Sequence, residues 1–324
     1  MSGDIQLCLT LYALSGEYAT GRFSLEKCLQ TAHEMGYTGI ELVASQMVPE
    51  YPHPSKAWMD EFRAMLTRYQ LHPVCYSAYI DMGTHSDRDL TENEIIQSTI
   101  DDMVYAKYMG FDLVRTQHAI SPAVYRKMLP YAKDLDIILA IEMHHPHNPD
   151  VPVWKELLKI MDEGEGYLGV VPDFSIFAET PHALHIRQVI DEFGCSEEKV
   201  EEIVHLHKEG VTQSEIKKAG SYSDVELRFL NEVFSTYGNG TAKLAWLKEL
   251  LPHTVYIHGK FWYIGEDEKD DTIPCDRLLP MIQAAGYHGY MASEYEGHHF
   301  AGEIDACEQL RRWVSMSNRI LRKA

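Results

Sequence analysis

Short runs of β-branched and aromatic residues alternate with longer amphipathic stretches from one end of the chain to the other. The runs with strand length and composition are IQLCLTLYA (5–13), GIELVA (39–44), HPVCYSAYI (72–80), DLVRTQH (112–118), DIILAIEM (136–143), YLGVVPDF (167–174), HTVYIHGKF (253–261) and HGYMASEY (288–295). The intervening stretches carry helical spacing. SLEKCLQTAHEMG opens on a serine cap and stops at Gly36, and NEIIQSTIDDMVYAKYMG stops at Gly110, as N-cap and C′-glycine chemistry require. Eight βα units in 324 residues predict one α/β domain over 1–324, a (β/α)8 TIM barrel. Only 178–252 is too long for a single crossover helix. It holds several helical patterns, among them PHALHIRQVIDEF, SEEKVEEIVHLHKEG and SYSDVELRFLNEVF. The expectation is a helical insertion between strands 6 and 7, on the catalytic rim, acting as a lid or a partner-docking surface.

Composition narrows the class. Lys and Arg total 29 against 49 Asp and Glu, a net charge of −20, which argues against nucleic acid and anionic membranes as partners. With 45% hydrophobic and 24% charged residues the chain is globular. The opening MSGDIQLCLT lacks a basic n-region and an apolar h-region, so a cytoplasmic location is expected. The six cysteines are scattered without CxxC spacing and read as reduced, small hydrophobes. No P-loop, no GxGxxG after a strand and no GxSxG elbow occurs.

In a parallel barrel the inward-pointing residues at the C-terminal strand ends converge on one site. Those ends carry Glu142 (IEMHHP), Asp173 (VPDF), His258 (YIHGKF) and Glu294 (ASEYEG) on strands five to eight. Three carboxylates a few ångströms apart resist simultaneous ionisation unless a cation compensates them. Oxygen donors with one imidazole favour Mn²⁺ or Mg²⁺, with Zn²⁺, Co²⁺ and Fe²⁺ fitting on ligand grounds. Residues i and i+2 of a strand share a face, which sets His144 beside Glu142, Lys260 beside His258 and Glu296 beside Glu294. A neutral imidazole next to a cation is a natural general base, the expected role of His144, while His145 is expected to face the barrel wall. Glu41, Arg115, Gln117 and His118 also lie at strand ends, where they either bind sugar hydroxyls or pair inside the barrel. Tyr76, Tyr79, Phe174, Phe177, Phe261, Trp262 and Tyr263 fall near the same rim and suit a sugar ring or a flat aglycone.

The segments GYTGIEL (36–42), IEMHHP (141–146), VVPDFSIF (170–177), YIHGKF (256–261) and GYHGYMASEYEG (286–297) resemble the xylose-isomerase-like barrel superfamily of sugar phosphate isomerases and epimerases. Within it, EMHHP, PDFSIF and SEYEG look most like the α (catalytic) subunits of C-glycoside deglycosidases. That resemblance implies a divalent-metal-dependent carbon–carbon lyase acting on 3-oxo-C-glycosides. The ligands would be Glu142, Asp173, His258 and Glu294, with His144 as base and Gln117, His118, Lys260 and Glu296 on the substrate. It also implies a smaller β-rich subunit in a hetero-oligomer, homo-oligomerisation through barrel helices being the alternative. The competing activity is a metal-dependent ketose 3-epimerase or sugar isomerase acting on a free keto-sugar. A ketose 3-epimerase takes its histidine ligand from the strand directly after the Asp strand, a stretch filled here by the insertion. Together with the extra base His144 this favours the lyase, and the lack of a basic phosphate clamp argues against a sugar-phosphate substrate.

Overall fold

A computed structural model of the chain, describing residues 5–117, 120–238 and 240–322, carries its eight strands in one parallel sheet. They are β1 (Gln6–Thr10), β2 (Gly39–Val43), β3 (His72–Ser77), β4 (Leu113–Thr116), β5 (Ile138–Met143), β6 (Leu168–Pro172), β7 (Ile257–Phe261) and β8 (Tyr290–Tyr295). Their order is β6-β5-β4-β3-β2-β1-β8-β7, and isolated bridges Val170↔Thr254 and Asp173↔His258 bring the last edge back to β6. The result is a nearly closed (β/α)8 barrel, as the alternating pattern requires. The strands are shorter than their apolar runs, because the chain leaves the sheet where it must feed a helix. After β1 it winds directly into a 3₁₀ turn over Leu11–Leu14.

Helices α1 (Leu25–Glu34), α2 (Lys56–Tyr69), α3 (Glu92–Met109), α4 (Pro122–Leu135) and α5 (Pro152–Glu163) cover the first five crossovers. Ser24 caps α1 by accepting from the Lys27 amide. Thr91 and Glu94 form a reciprocal capping box at the start of α3, which ends on Gly110 at φ 91°. Between β6 and β7 lie α6 (Ala183–Asp191), α7 (Glu197–Lys208), α8 (Gln213–Ala219), α9 (Asp224–Thr236) and α10 (Gly240–Leu250). The barrel closes with α11 (Cys275–Ala284) and α12 (Ala306–Leu321). Lys243 ties α10 down: its buried ammonium donates to the carbonyls of Ala178 (2.8 Å) and Thr236 (3.0 Å). His182, the N-cap of α6, stacks on Trp262 beyond β7 with centroids 4.9 Å apart.

The lumen is layered by the two-residue period. Cys8, Cys75, Leu113, Ala140, Val171, Tyr256 and Ala292 form a small apolar cluster on the inner face. Two residues further along their strands, the same face reads Arg115, Glu142, Asp173, His258 and Glu294. Apolar floor and charged ceiling are thus consecutive turns of one alternation. The six cysteines are free and buried, as expected for small hydrophobes. Among the described residues no helix is long and apolar enough to cross a membrane.

Gly259 sits between His258 and Lys260, where the outer face of β7 meets α12. A Cβ there would lie 2.6 Å from the Trp313 ring and 2.8 Å from the Ala292 carbonyl. Trp313 is fully buried and stacks on Phe261 at 4.7 Å, so it has no room to yield. Gly259→Ala is therefore expected to lower stability by about 1–3 kcal/mol in denaturant unfolding, the usual cost of overpacking. Unchanged stability would mean that the β7–α12 contact is loose.

Candidate metal centre

The strand register brings the four candidate ligands together. Asp173 and His258 are bridge partners, and Lys260 is directly opposite Glu294 on the adjacent strand. One ligand atom from each of Glu142, Asp173, His258 and Glu294 lies within 4.8 Å of every other, and all four residues are buried. His258 sits on β7, the next strand after β6, which Asp173 directly follows. The insertion therefore lengthens the connection without displacing the histidine, which corrects the expectation that it fills the histidine's place.

His258 is held from both sides. Its Nε2 lies 2.9 Å from Glu41 Oε2, and its Nδ1 lies 2.9 Å from Glu142 Oε1 and 3.1 Å from Glu294 Oε2. Burial alone would push the ring toward neutrality, but Glu41, Glu294 and Glu142 outweigh it and hold its pKa well above the ordinary value. Glu142 is likewise penalised by burial, yet Arg115, His258 and Lys260 keep it well below the usual carboxylate range. Glu294 goes the other way: burial, with Asp173 nearby, pushes it up to about 7. The raised His258 and Glu294 values are those of a cluster rich in negative charge, while the cations beside Glu142 keep that carboxylate ionised.

Glu41 and Arg115 belong to the barrel interior. Arg115 Nη1 donates to Glu142 Oε2 at 2.5 Å, while its Nη2 reaches Glu41 at 3.3 Å and bonds the Ser77 hydroxyl. Both residues are buried, so of the two roles open to them in the sequence the structure selects internal pairing over contact with a ligand. Lys260 Nζ lies 3.0 Å from Asp173 Oδ2, 3.2 Å from Glu296 Oε2 and 3.9 Å from Glu294 Oε2.

The cluster has the donors, burial and charge to bind a metal ion. Glu41, Glu142, Asp173, Glu294 and Glu296 face three cations, Arg115, Lys260 and a protonated His258, so the carboxylates stay in excess. Asp173 Oδ2 and Glu294 Oε2 are buried and accept no well-directed hydrogen bond: the Lys260 ammonium lies 3.0 Å from the first and His258 Nδ1 3.1 Å from the second. Buried carboxylate oxygens without a donor are costly. A divalent cation would satisfy both oxygens and the charge at once. With Nε2–H on Glu41, Nδ1 is the nitrogen that would face a cation, as in imidazoles oriented by a carboxylate.

Above the cluster opens a cavity of about 670 Å³. Glu142 and Glu294 reach its floor, and Gln117, His144, Lys260 and Glu296 line it. His118 lies outside the described residues. His144 Nδ1 lies 2.7 Å from the His145 carbonyl, which can only accept, so the neutral ring carries its proton on Nδ1 and its lone pair on Nε2. His145 lines the same cavity instead of facing the wall, because the chain has already left β5 and the strand alternation no longer applies. Of the rim aromatics only Tyr79 and Trp262 reach the cavity, whereas Tyr76, Phe174, Phe177 and Phe261 are core. Tyr12, Ser45, Gln46, Ser175, His299 and Phe300 also line it and were not singled out in the sequence. Tyr12 falls two residues past β1, in the 3₁₀ turn, where strand parity gives no signal for it.

The chain is 27% identical to the 3'-dehydrocarminate deglycosidase alpha subunit of a Microbacterium species, over 98% of this chain and 94% of that relative. It is 27% identical to a C-glycoside deglycosidase alpha subunit of Arthrobacter globiformis, over 99% of this chain and 93% of the relative. Its backbone is similar to D-psicose 3-epimerase from Clostridium cellulolyticum (TM-score 0.59, 9% identity, 98% of this chain and 99% of that one). It is also similar to a sugar phosphate isomerase/epimerase from Parabacteroides distasonis (TM-score 0.57, 11% identity, 99% and 96%). At those identities the structural likeness speaks to the fold alone. Residues 29–316 match the model of the xylose isomerase-like TIM barrel, and with the barrel and its strand-end quartet in place the chain belongs to that family.

Proposed function

We propose that this chain is the catalytic subunit of a divalent-metal-dependent carbon–carbon lyase that deglycosylates 3-oxo-C-glycosides. The observation that carries the reading is the buried Glu142, Asp173, His258 and Glu294 quartet, with two oxygens that accept no well-directed hydrogen bond, beneath a cavity lined by His144. The alpha-subunit names of relatives aligned over almost the whole chain support it. The quartet would hold the cation, Mn²⁺ in first place on ligand chemistry. What such an ion supplies when bound is electrophilic stabilisation of charge developing on the sugar's ketone oxygen.

The chain's own groups do the rest. His144 removes the acidified C2 proton through Nε2, while its Nδ1–H stays on the His145 carbonyl and fixes the ring. Gln117, Lys260 and Glu296, with His118, bind the sugar hydroxyls, and the Lys260 ammonium adds positive charge beside Asp173 and Glu296. Collapse of the C2 carbanion toward C1 then expels the aglycone. Incubating the Mn²⁺-loaded protein, with its partner subunit supplied, with a 3-oxo-C-glucosyl flavonoid should release the free aglycone. No release alongside rapid turnover of a free ketose would assign the ketose 3-epimerase instead.

Two further expectations belong to this reading. Glu41 orients His258 through Nε2 and is itself held by Tyr256 at 3.1 Å. Glu41→Gln is expected to weaken Mn²⁺ binding by roughly 10–100-fold, the usual effect of losing a ligand's supporting carboxylate; titration calorimetry reads it, and unchanged affinity would remove Glu41 from that role. The chain also pairs with a smaller β-rich subunit, with the 178–252 insertion contributing to the contact or covering the cavity. Co-expression and size-exclusion chromatography test this: a fully active homo-oligomer, unaffected by deleting helices within 181–235, would refute it.

A further inference from the structure

Tyr12 and His299 line the same cavity and have no part in the reaction so far. Tyr12 follows β1. In the ring of strands β1 lies four positions from β5 in either direction, so the phenol enters from the side opposite the His144 loop. Its Oη is 2.6 Å from His299 Nε2 and 3.4 Å from Glu296 Oε1. A phenol has one proton, and with His299 donating Nε2–H to the oxygen that proton points to Glu296 or to whatever occupies the cavity. Burial, then Glu296 and Glu294, keep the phenol well above its ordinary pKa, so it stays protonated throughout the neutral range.

A carbon–carbon lyase needs a donor at this place. Once His144 has taken the C2 proton, the electron pair forms the C1=C2 bond and the C1–aryl pair departs on the aryl carbon. An aryl carbanion is a very poor leaving group unless a proton arrives as the bond breaks. Resting on the lyase reading above, we propose that Tyr12 is the general acid that protonates the departing aryl carbon, with His299 returning a proton to its oxygen. The balance closes: one C–H proton goes to His144, one phenol proton goes to the aryl carbon, and an enone sugar and an intact arene leave. His144 gives its proton to solvent and the dyad takes one back, with no oxidant or reductant consumed.

Two substrates separate this role from the proton abstraction. A 3-oxo-C-glucoside needs the acid, whereas 3-oxo-4-nitrophenyl glucoside expels a phenolate stable at neutral pH and does not. Tyr12→Phe is expected to lower kcat on the C-glucoside by roughly 10²–10⁴-fold, the range of a positioned acid. The same preparation should release 4-nitrophenolate within about threefold of wild type and still exchange the C2 hydrogen for solvent deuterium, which shows that it is folded and metal-loaded. His299→Gln should give a smaller loss, confined to the C-glucoside. Wild-type aglycone release by Tyr12→Phe, or parallel loss on both substrates, overturns the acid role alone. A wild-type enzyme that turns over neither substrate overturns the lyase reading itself, and the acid with it.

Discussion

Glu294→Ala and Glu142→Ala are each expected to abolish stoichiometric Mn²⁺ retention and to take aglycone release down to background. Each change deletes one of three carboxylates that, with His258, meet within 4.8 Å in a buried site. The loss is more than one bond. Without Glu142 the Arg115 guanidinium gives up its 2.5 Å partner and His258 Nδ1 its closest carboxylate, so the positive charges that remain repel an incoming cation. Without Glu294 the site loses an oxygen 3.1 Å from His258 Nδ1 that accepts no well-directed hydrogen bond. Metal content after dialysis measures the effect, and a variant that keeps one equivalent of Mn²⁺ would exclude its residue from the ligand set. Glu294→Gln separates charge from shape: it preserves volume and should still lose most of the affinity.

His144→Ala should behave in the opposite way, keeping the metal while turnover falls by roughly 10²–10⁴-fold. The reason lies in its fixed tautomer. The Nδ1–H donated to the His145 carbonyl leaves Nε2 as the ring's basic nitrogen at the cavity wall. Alanine removes that lone pair without touching the four strand-end ligands. Measuring kcat and metal content on one preparation decides the matter. Metal loss equal to that of Glu142→Ala would make His144 a ligand and put the base elsewhere.

Much of this centre was legible in the chain. Four inward strand ends in a row carry Glu142, Asp173, His258 and Glu294, each two residues after an apolar inner-face position: Ala140, Val171, Tyr256 and Ala292. A two-residue period is enforced by backbone geometry, so it survives reading from sequence. It fails where the strand stops. His145 lies beyond Met143, the last residue of β5, and parity there misassigned its direction. Tyr12 lies in a 3₁₀ turn and is uncharged at neutral pH, so neither strand parity nor charge marks it in the sequence.

By itself, then, the sequence determined the eight βα units, the long insertion before β7 and the identity of the four converging strand-end groups. Those depend on local alternation and on one rule of parallel barrels, that inward strand ends meet. Only the tertiary structure decided what each inward group faces. Glu41 and Arg115 share the inner face with the quartet, yet cross-barrel distances commit them to His258, Glu142 and each other. Lys260 shares a face with His258, yet its ammonium reaches across to Asp173 and Glu296. The Tyr12–His299 contact joins residues 287 positions apart. Such pairings depend on the stagger between strands and the diameter of the closed ring, and no local period encodes either.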